Sequence, residues 1–159
     1  ALGVPDFAAH MFIFYYAVLS AVSSPNALAP FAAASITGGD PHKTILHSWK
    51  YTLPALVVPF VFVLDPAGIA LLLKAPAAAS WLQVAWIAFA AVAGIAALAA
   101  GVQKWMLRAC SQWERWVLIA CGLMLVYPSN GFNSIGLFGL AVMLGWQWRG
   151  LRMATPVIR

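Results

Sequence analysis

Charge is scarce in this chain of 159 residues: there are four Asp and Glu and nine Lys and Arg, and together they make up 8% of the sequence. So thin a charge cannot clothe a water-facing globular domain, and its spread between long apolar runs leaves no basic face for nucleic acid. Cysteine is nearly missing. Cys110 and Cys121 are too few and too ill-spaced for a disulfide framework or a zinc site, and they read as apolar packing residues. There is no Walker A loop, dinucleotide fingerprint or nucleophile elbow, so phosphate-cradling, Rossmann and α/β-hydrolase chemistry find no motif. What fills the chain is hydrocarbon. Hydrophobic residues make up 64% of it and the mean hydropathy is +0.88, which points to a lipid environment. Ala1 to Asp6 read as the end of a loop feeding an apolar helix, so the chain is expected to be the C-terminal piece of a longer polypeptide.

A helix rises 1.5 Å per residue and must cross roughly 30 Å of hydrocarbon, so each crossing needs about 20 mostly apolar residues. The first apolar stretch runs from Phe7 to Val22, meets Ser23-Ser24-Pro25-Asn26, and resumes from Ala27 to Ile36 before Gly38-Gly39-Asp40-Pro41. It reads as a helix broken in the middle. The second runs from about Tyr51 to Leu64 with Pro54 and Pro59 inside it; Thr44 to Lys50 form an amphipathic lead-in, and Asp65-Pro66 end it. The third, Trp81 to Gly101, carries neither charge nor proline over a full span. After a basic connector come two shorter stretches, Trp116 to Tyr127 and Phe132 to Trp148, joined by Pro128-Ser129-Asn130-Gly131. These are either two thin crossings or one re-entrant hairpin, and two short helices are preferred. The expected architecture is therefore all-α and polytopic, with about five transmembrane or half-membrane helices, one of them discontinuous.

Lys and Arg near helix ends are retained on the cytoplasmic side. Lys43 and Lys50 lie in the first connector, Lys104, Arg108 and Arg115 in the third, and Arg149, Arg152 and Arg159 in the tail, against Lys74 alone in the second. Residues 39–50 and 102–115 and the C-terminus are thus expected inside and residues 1–6 outside. Trp49, Trp105, Trp113, Trp116, Trp146 and Trp148 cluster beside the basic connectors and Trp81 marks the other face, the pattern of an interfacial aromatic belt.

An unpaired backbone amide or carbonyl in hydrocarbon costs several kcal/mol, so non-helical backbone is tolerated only where it is buried in protein or lines a watery cavity. At the break, Pro25 removes a donor, while Ser23, Ser24 and Asn26 place hydroxyl and amide oxygens beside freed carbonyls. These are hard oxygen ligands suited to a small cation. Two half-helices meeting there also aim a positive and a negative end into the gap, as discontinuous transporter helices do for anionic substrates and Na⁺. The competing reading is an ordinary proline kink whose serines bond back to the helix.

The run Gly3-Val4-Pro5, Ala9-His10, Phe14-Tyr15, Leu19-Ser20 and Val22 to Ala29, then Phe31-Ala32-Ala33 and Gly39-Asp40-Pro41, resembles the large membrane subunit of tripartite ATP-independent periplasmic (TRAP) transporters. The form it most resembles has its small and large membrane subunits fused. In that family the corresponding break carries a Thr-Pro-Pro-Val type sequence and contributes to a Na⁺ and substrate site. By that resemblance Ser23, Ser24, Pro25 and Asn26 are candidate substrate or ion residues, with Ser23 and Ser24 as candidate Na⁺ ligands. Ser23 keeps the hydroxyl of the family Thr, whereas Ser24 replaces the first Pro and Asn26 an apolar residue. Thr44 to Pro66 is similar to the next helix of fused subunits, and residues 80–148 to their extra C-terminal segment.

The resemblance divides the chain into 1–73, the end of the second transport repeat, and 74–159, a C-terminal membrane extension. The first holds broken helix 7–36, helix 44–64 and a short apolar segment 67–73. The second holds helix 80–101, short helices 113–127 and 131–148, and a basic tail. It implies a multi-pass protein of the bacterial inner membrane, not an enzyme, that imports small organic anions (carboxylates) with Na⁺ as coupling ion and no other cofactor. The implied partners are a periplasmic solute-binding protein, the remainder of the permease chain, the organic anion and the bilayer, with no nucleic acid. The alternative is a small non-transporting membrane anchor or assembly module.

The other polar residues favour plain readings. His10 reads as interfacial or packed, and His42 and His47 miss the i, i+4 zinc-helix spacing. Asp65 before Pro66 is a turn pair, and Glu114 with Arg115 reads as interfacial charge. An intramembrane hydrolase using Ser23 or Ser24 with His10 lacks a further acid or base at workable spacing. Ala93, Ala97 and Gly101, with Ala90 and Gly94, recur every four residues and offer a smooth face to a partner helix not identifiable from sequence.

Overall fold

The computed structural model describes residues 4–23, 26–64, 69, 80–127 and 129–154. Among them the chain is all-helical, as expected. The six helices are α1 (Asp6–Leu19), α2 (Leu28–Thr37), α3 (Pro41–Leu64), α4 (Trp81–Gln103), α5 (Gln112–Val126) and α6 (Asn130–Ala154). An isolated antiparallel bridge joins Trp105 and Ala109 in the loop between α4 and α5. Among the described residues one helix, α4, is long and apolar enough to cross a membrane by length and composition. Its 23 residues rise about 35 Å.

Local chemistry sets the ends. Asp40 caps α3: its Oδ1 accepts the N–H of His42 at 2.9 Å and of Lys43 at 3.3 Å, and Pro41 takes the first helical position, where its missing donor is harmless. The helix therefore starts three residues before the expected 44. It then runs unbroken past Pro54 and Pro59 to Leu64. The expected short helix 131–148 is also longer: α6 spans 25 residues, about 38 Å, because nothing between Trp148 and Ala154 halts it. Residues 67–68 and 70–73 of the expected apolar segment 67–73 lie outside the described residues.

Helices α4, α5 and α6 form an antiparallel bundle held at backbone distance by small residues. A Cβ added to Gly94 would lie 2.9 Å from Leu125 Cβ, one added to Gly101 would lie 2.7 Å from Ile119 Cγ1, and one on Gly122 would lie 2.8 Å from Gly94 O. As α4 advances from 94 to 101, its neighbours on α5 retreat from 125 to 119, so the two run in opposite directions. On the far side Gly136 meets Leu125 and Gly139 meets Cys121 Sγ, which sets α6 antiparallel to α5. The smooth stripe of α4 thus has its partner: Ala90, Gly94, Ala97 and Gly101 are buried, facing α5 and α6. Leu118, Leu125, Leu140 and Met143 complete this core, and Val61 of α3 joins Ala91, Leu98 and Val126 in a second cluster.

The N-terminal arm is looser. Phe12 and Tyr16 of α1 pack edge-on against Phe60 of α3 at 5.4 and 6.5 Å, and the Tyr16 hydroxyl donates to Leu56 O at 2.6 Å. Further along the arm, Val22 lies beside Ser48. Residues 12, 16 and 22 therefore meet 60, 56 and 48 in turn, so this arm runs antiparallel to α3. Helix α2 also packs on α3. Away from α3 the arm bares Ile13, Phe14, Val18, Leu28 and Ile36.

Candidate functional site

Helix α1 ends at Leu19 and α2 begins at Leu28, and the hydrogen bonds of the described residues between them can be traced. Leu19 O accepts three donors, Val22 N–H at 3.1 Å, Ser23 N–H at 3.0 Å and the Ser23 hydroxyl at 2.8 Å. The carbonyls of residues 21 to 23 are each taken. Ala21 O accepts Ala29 N–H at 3.0 Å, Val22 O accepts the Ser48 hydroxyl at 2.7 Å, and Ser23 O accepts Ala27 N–H at 2.9 Å. Thr52, one turn beyond Ser48, returns its own hydroxyl to Ser48 O at 2.8 Å. The chain re-enters helix α2 through Ala27, whose φ of 44° is left-handed and costs an L-residue roughly 1–2 kcal/mol. Ala27 is buried.

Of the four candidate residues, Ser23 is buried and Asn26 lies exposed in the turn; Ser24 and Pro25 fall outside the described residues. The Ser23 hydroxyl spends its proton on Leu19 O and keeps its oxygen lone pairs for an incoming donor or cation. Tyr16, Ser48 and Thr52 were not singled out from sequence. A phenol within an apolar helix needs a partner, and Ser48 and Thr52 stand four apart on one helix face; those are the available signals. His10 lies nine residues before the end of α1, about 14 Å of helix rise from the break, so it is not brought to Ser23. Among the described residues no three of His, Cys, Asp and Glu gather as a metal site.

A second polar cluster ties the α4–α5 loop to α6. Glu114, fully buried, receives Arg108 Nη2 on Oε1 at 2.7 Å and Ser111 N–H on Oε2 at 2.8 Å. It is therefore not the interfacial charge expected from sequence. Arg108, six residues earlier, folds back in the loop, and the third position of α5 points the carboxylate at the helix start as a cap. Gln147 of α6, also fully buried, accepts Leu107 N–H at 3.1 Å and places Nε2 3.2 Å from Cys110 Sγ. Arg115 Nε donates to Gly101 O at 3.2 Å, and its guanidinium carbon stands 5.7 Å from the Trp116 ring. Every acceptor here has a structural donor. The cluster holds a loop rather than offering a reaction centre.

No family model, curated protein or solved structure matches the chain. The functional reading accordingly rests on the residues themselves and on the sequence resemblance given above.

Proposed function

We propose that this chain is the C-terminal membrane part of a TRAP-type permease of a bacterial inner membrane. Such a permease imports small organic anions with Na⁺, taking them from a periplasmic solute-binding protein. The observation that carries the reading is the interrupted arm: two apolar helices, between which the described residues 20–23 and 26–27 are non-helical and the carbonyls at 21, 22 and 23 are satisfied by protein donors. Broken backbone at membrane depth requires such internal pairing. Binding sites of this transporter class lie between inverted repeats, and the arm's apolar face away from α3 is where the preceding part of the chain would pack. Ser23, with Ser24, Pro25 and Asn26, would supply one side of the ion or substrate site.

Support for a bilayer is independent of the break. All eight tryptophans are exposed, and so are Ile13, Phe14, Val92, Phe138 and Val142 along the helices. Apolar exposure on that scale marks a membrane or protein contact. With residues 39–50, 102–115 and the C-terminus in the cytoplasm, the tryptophans beside the basic loops occupy one interface and Trp81 the other.

The second reading, a non-transporting anchor or assembly module, is favoured by the way α4 to α6 pack tightly without help from the arm. The deciding experiment reconstitutes the complete permease with its binding protein. Uptake is expected only with an inward Na⁺ gradient, and Ser23→Ala is expected to weaken Na⁺ dependence while leaving the protein folded. Equal uptake in K⁺ and Na⁺ would refute the coupling-ion assignment, and the absence of any uptake would favour the anchor.

A further inference from the structure

Three kinds of surface meet where α4 hands over to α5. The first is a shallow, open cleft of about 400 Å³ between the loop and α6, lined by Leu107, Leu144, Gly145 and Trp148 with no charged side chain among them. The second is uncompensated positive charge. The carboxylate at this end, Glu114, is fully buried and neutralises Arg108 at 2.7 Å, which leaves exposed Lys104 and Arg149 and half-buried Arg115 without a counter-charge among the described residues. The third is indole: Trp105, Trp113 and Trp146 are all exposed, and the last two stack edge to face at 6.1 Å.

Arg149 and Arg108 adjoin the cleft, and Lys104 stands three residues before Leu107 in the same loop. Gly145 and Arg149 stand four apart on α6 and share a face. Arg108 follows Leu107 in the loop and lies against α6, where a Cβ added to Gly150 would meet its Nε at 3.1 Å. An open apolar cleft therefore lies beside basic groups at a tryptophan-rich level. A free phosphate has no use for the cleft, and a neutral lipid has no use for the charge. We infer that this end binds an anionic phospholipid, with one acyl chain in the cleft and the phosphate at Lys104 and Arg149. The inference rests on the membrane part of the proposed function and not on transport.

The test places the full chain in phosphatidylcholine vesicles containing a minor fraction of phosphatidylglycerol, with bromine on the acyl chains of one lipid or the other, and reads tryptophan quenching. Brominated phosphatidylglycerol is expected to quench well beyond its mole fraction. Lys104→Gln and Arg149→Gln, at exposed positions, should each lower that preference about fivefold, the worth of one basic residue at an anionic surface. Gly145→Leu should abolish the preference by filling the cleft; an added Cβ there meets nothing within 4 Å, so the fold has room for it. Soluble glycerol phosphate in excess should leave the quenching unchanged. Quenching proportional to mole fraction, a preference untouched by the three substitutions, or displacement by glycerol phosphate would each overturn the assignment. Ordinary quenching by brominated phosphatidylcholine alongside any of those results keeps the membrane reading and removes the lipid site. No quenching by either lipid removes both.

Discussion

Replacing Gly122 by Ala tests whether α4 and α5 truly touch at their backbones. The new methyl would stand 2.6 Å from Leu98 Cγ, 2.8 Å from Gly94 O and 2.9 Å from Leu98 N. Leu98 can rotate its side chain, but the other two are backbone atoms of a helix, so α4 itself must shift. Overpacking of this kind costs about 1–3 kcal/mol, and backbone contacts put it in the upper half of that range. Against it stands the gain of about 1 kcal/mol when Gly becomes Ala inside a helix. Gly145→Ala on α6 supplies the control, since its methyl meets nothing within 4 Å and only the propensity gain remains. The propensity term is common to both variants, so their difference isolates the contact, at about 2–3 kcal/mol. Reversible unfolding of the reconstituted protein in mixed micelles, followed by circular dichroism, measures it. Gly122→Ala should fall below the parent and Gly145→Ala rise above it. Two variants within about 0.5 kcal/mol of each other would refute the close approach.

Glu114→Ala removes the carboxylate that both neutralises Arg108 and caps α5. Breaking a buried pair by deleting one partner costs about 3–5 kcal/mol, and the partial exposure of Arg108 places the loss at the low end, near 3 kcal/mol in the same unfolding assay. A loss below about 1 kcal/mol would mean the pair is solvated. Ser48→Ala strands Val22 O without a donor, so it should cost about 1–2 kcal/mol and speed amide exchange at Ala27 and Ala29 more than in α4 or α5. Uniform exchange across the chain would show that the bond does not hold the break.

Periodicity made the helices legible and left their ends uncertain. The apolar runs of α1, α4 and α5 are visible because a charge-free or amphipathic stretch of that length has few other readings. The start of α3 was missed because Gly39-Asp40-Pro41 reads as a stop, whereas Asp40 and Pro41 are also a good helix start. Similarly, Arg149 and Arg152 suggested a tail after 148, yet an arginine within a helix carries no stop signal. The α4 stripe was readable, but its partner was not, since Gly94, Gly122 and Gly136 become meaningful only when three helices are brought together. Glu114 misled for a related reason: a carboxylate beside Arg115 looks like surface charge until Arg108, across a loop, turns out to be its partner. At the break, Ser23 was found by residue type. Ser48, Thr52 and Tyr16 lie far from it in sequence or bond in ways that only tertiary packing specifies.

The two ends of the chain differ in how firmly they are held, and that difference bears on what the break can do. Six residues of α4 are buried, against Ala8 in α1 and Pro30 and Ala34 in α2. Segments with few buried contacts open at low free energy, while a core packed at backbone distance opens only with global unfolding. The arm hangs on α3 through Tyr16, Ser48 and the Phe12–Phe60 contact, and the α4–α6 bundle stands apart from it as a rigid base. On the proposed reading that division is useful. A site that must bind and release an ion needs groups able to rearrange by a bond or two, and Leu19 O already accepts the amides of Val22 and Ser23 beside the Ser23 hydroxyl. Turning that hydroxyl away would free its oxygen while the two amide hydrogen bonds to Leu19 O keep the turn. A cation ligated there would therefore compete with a single side-chain bond, worth about 1 kcal/mol, rather than with the fold.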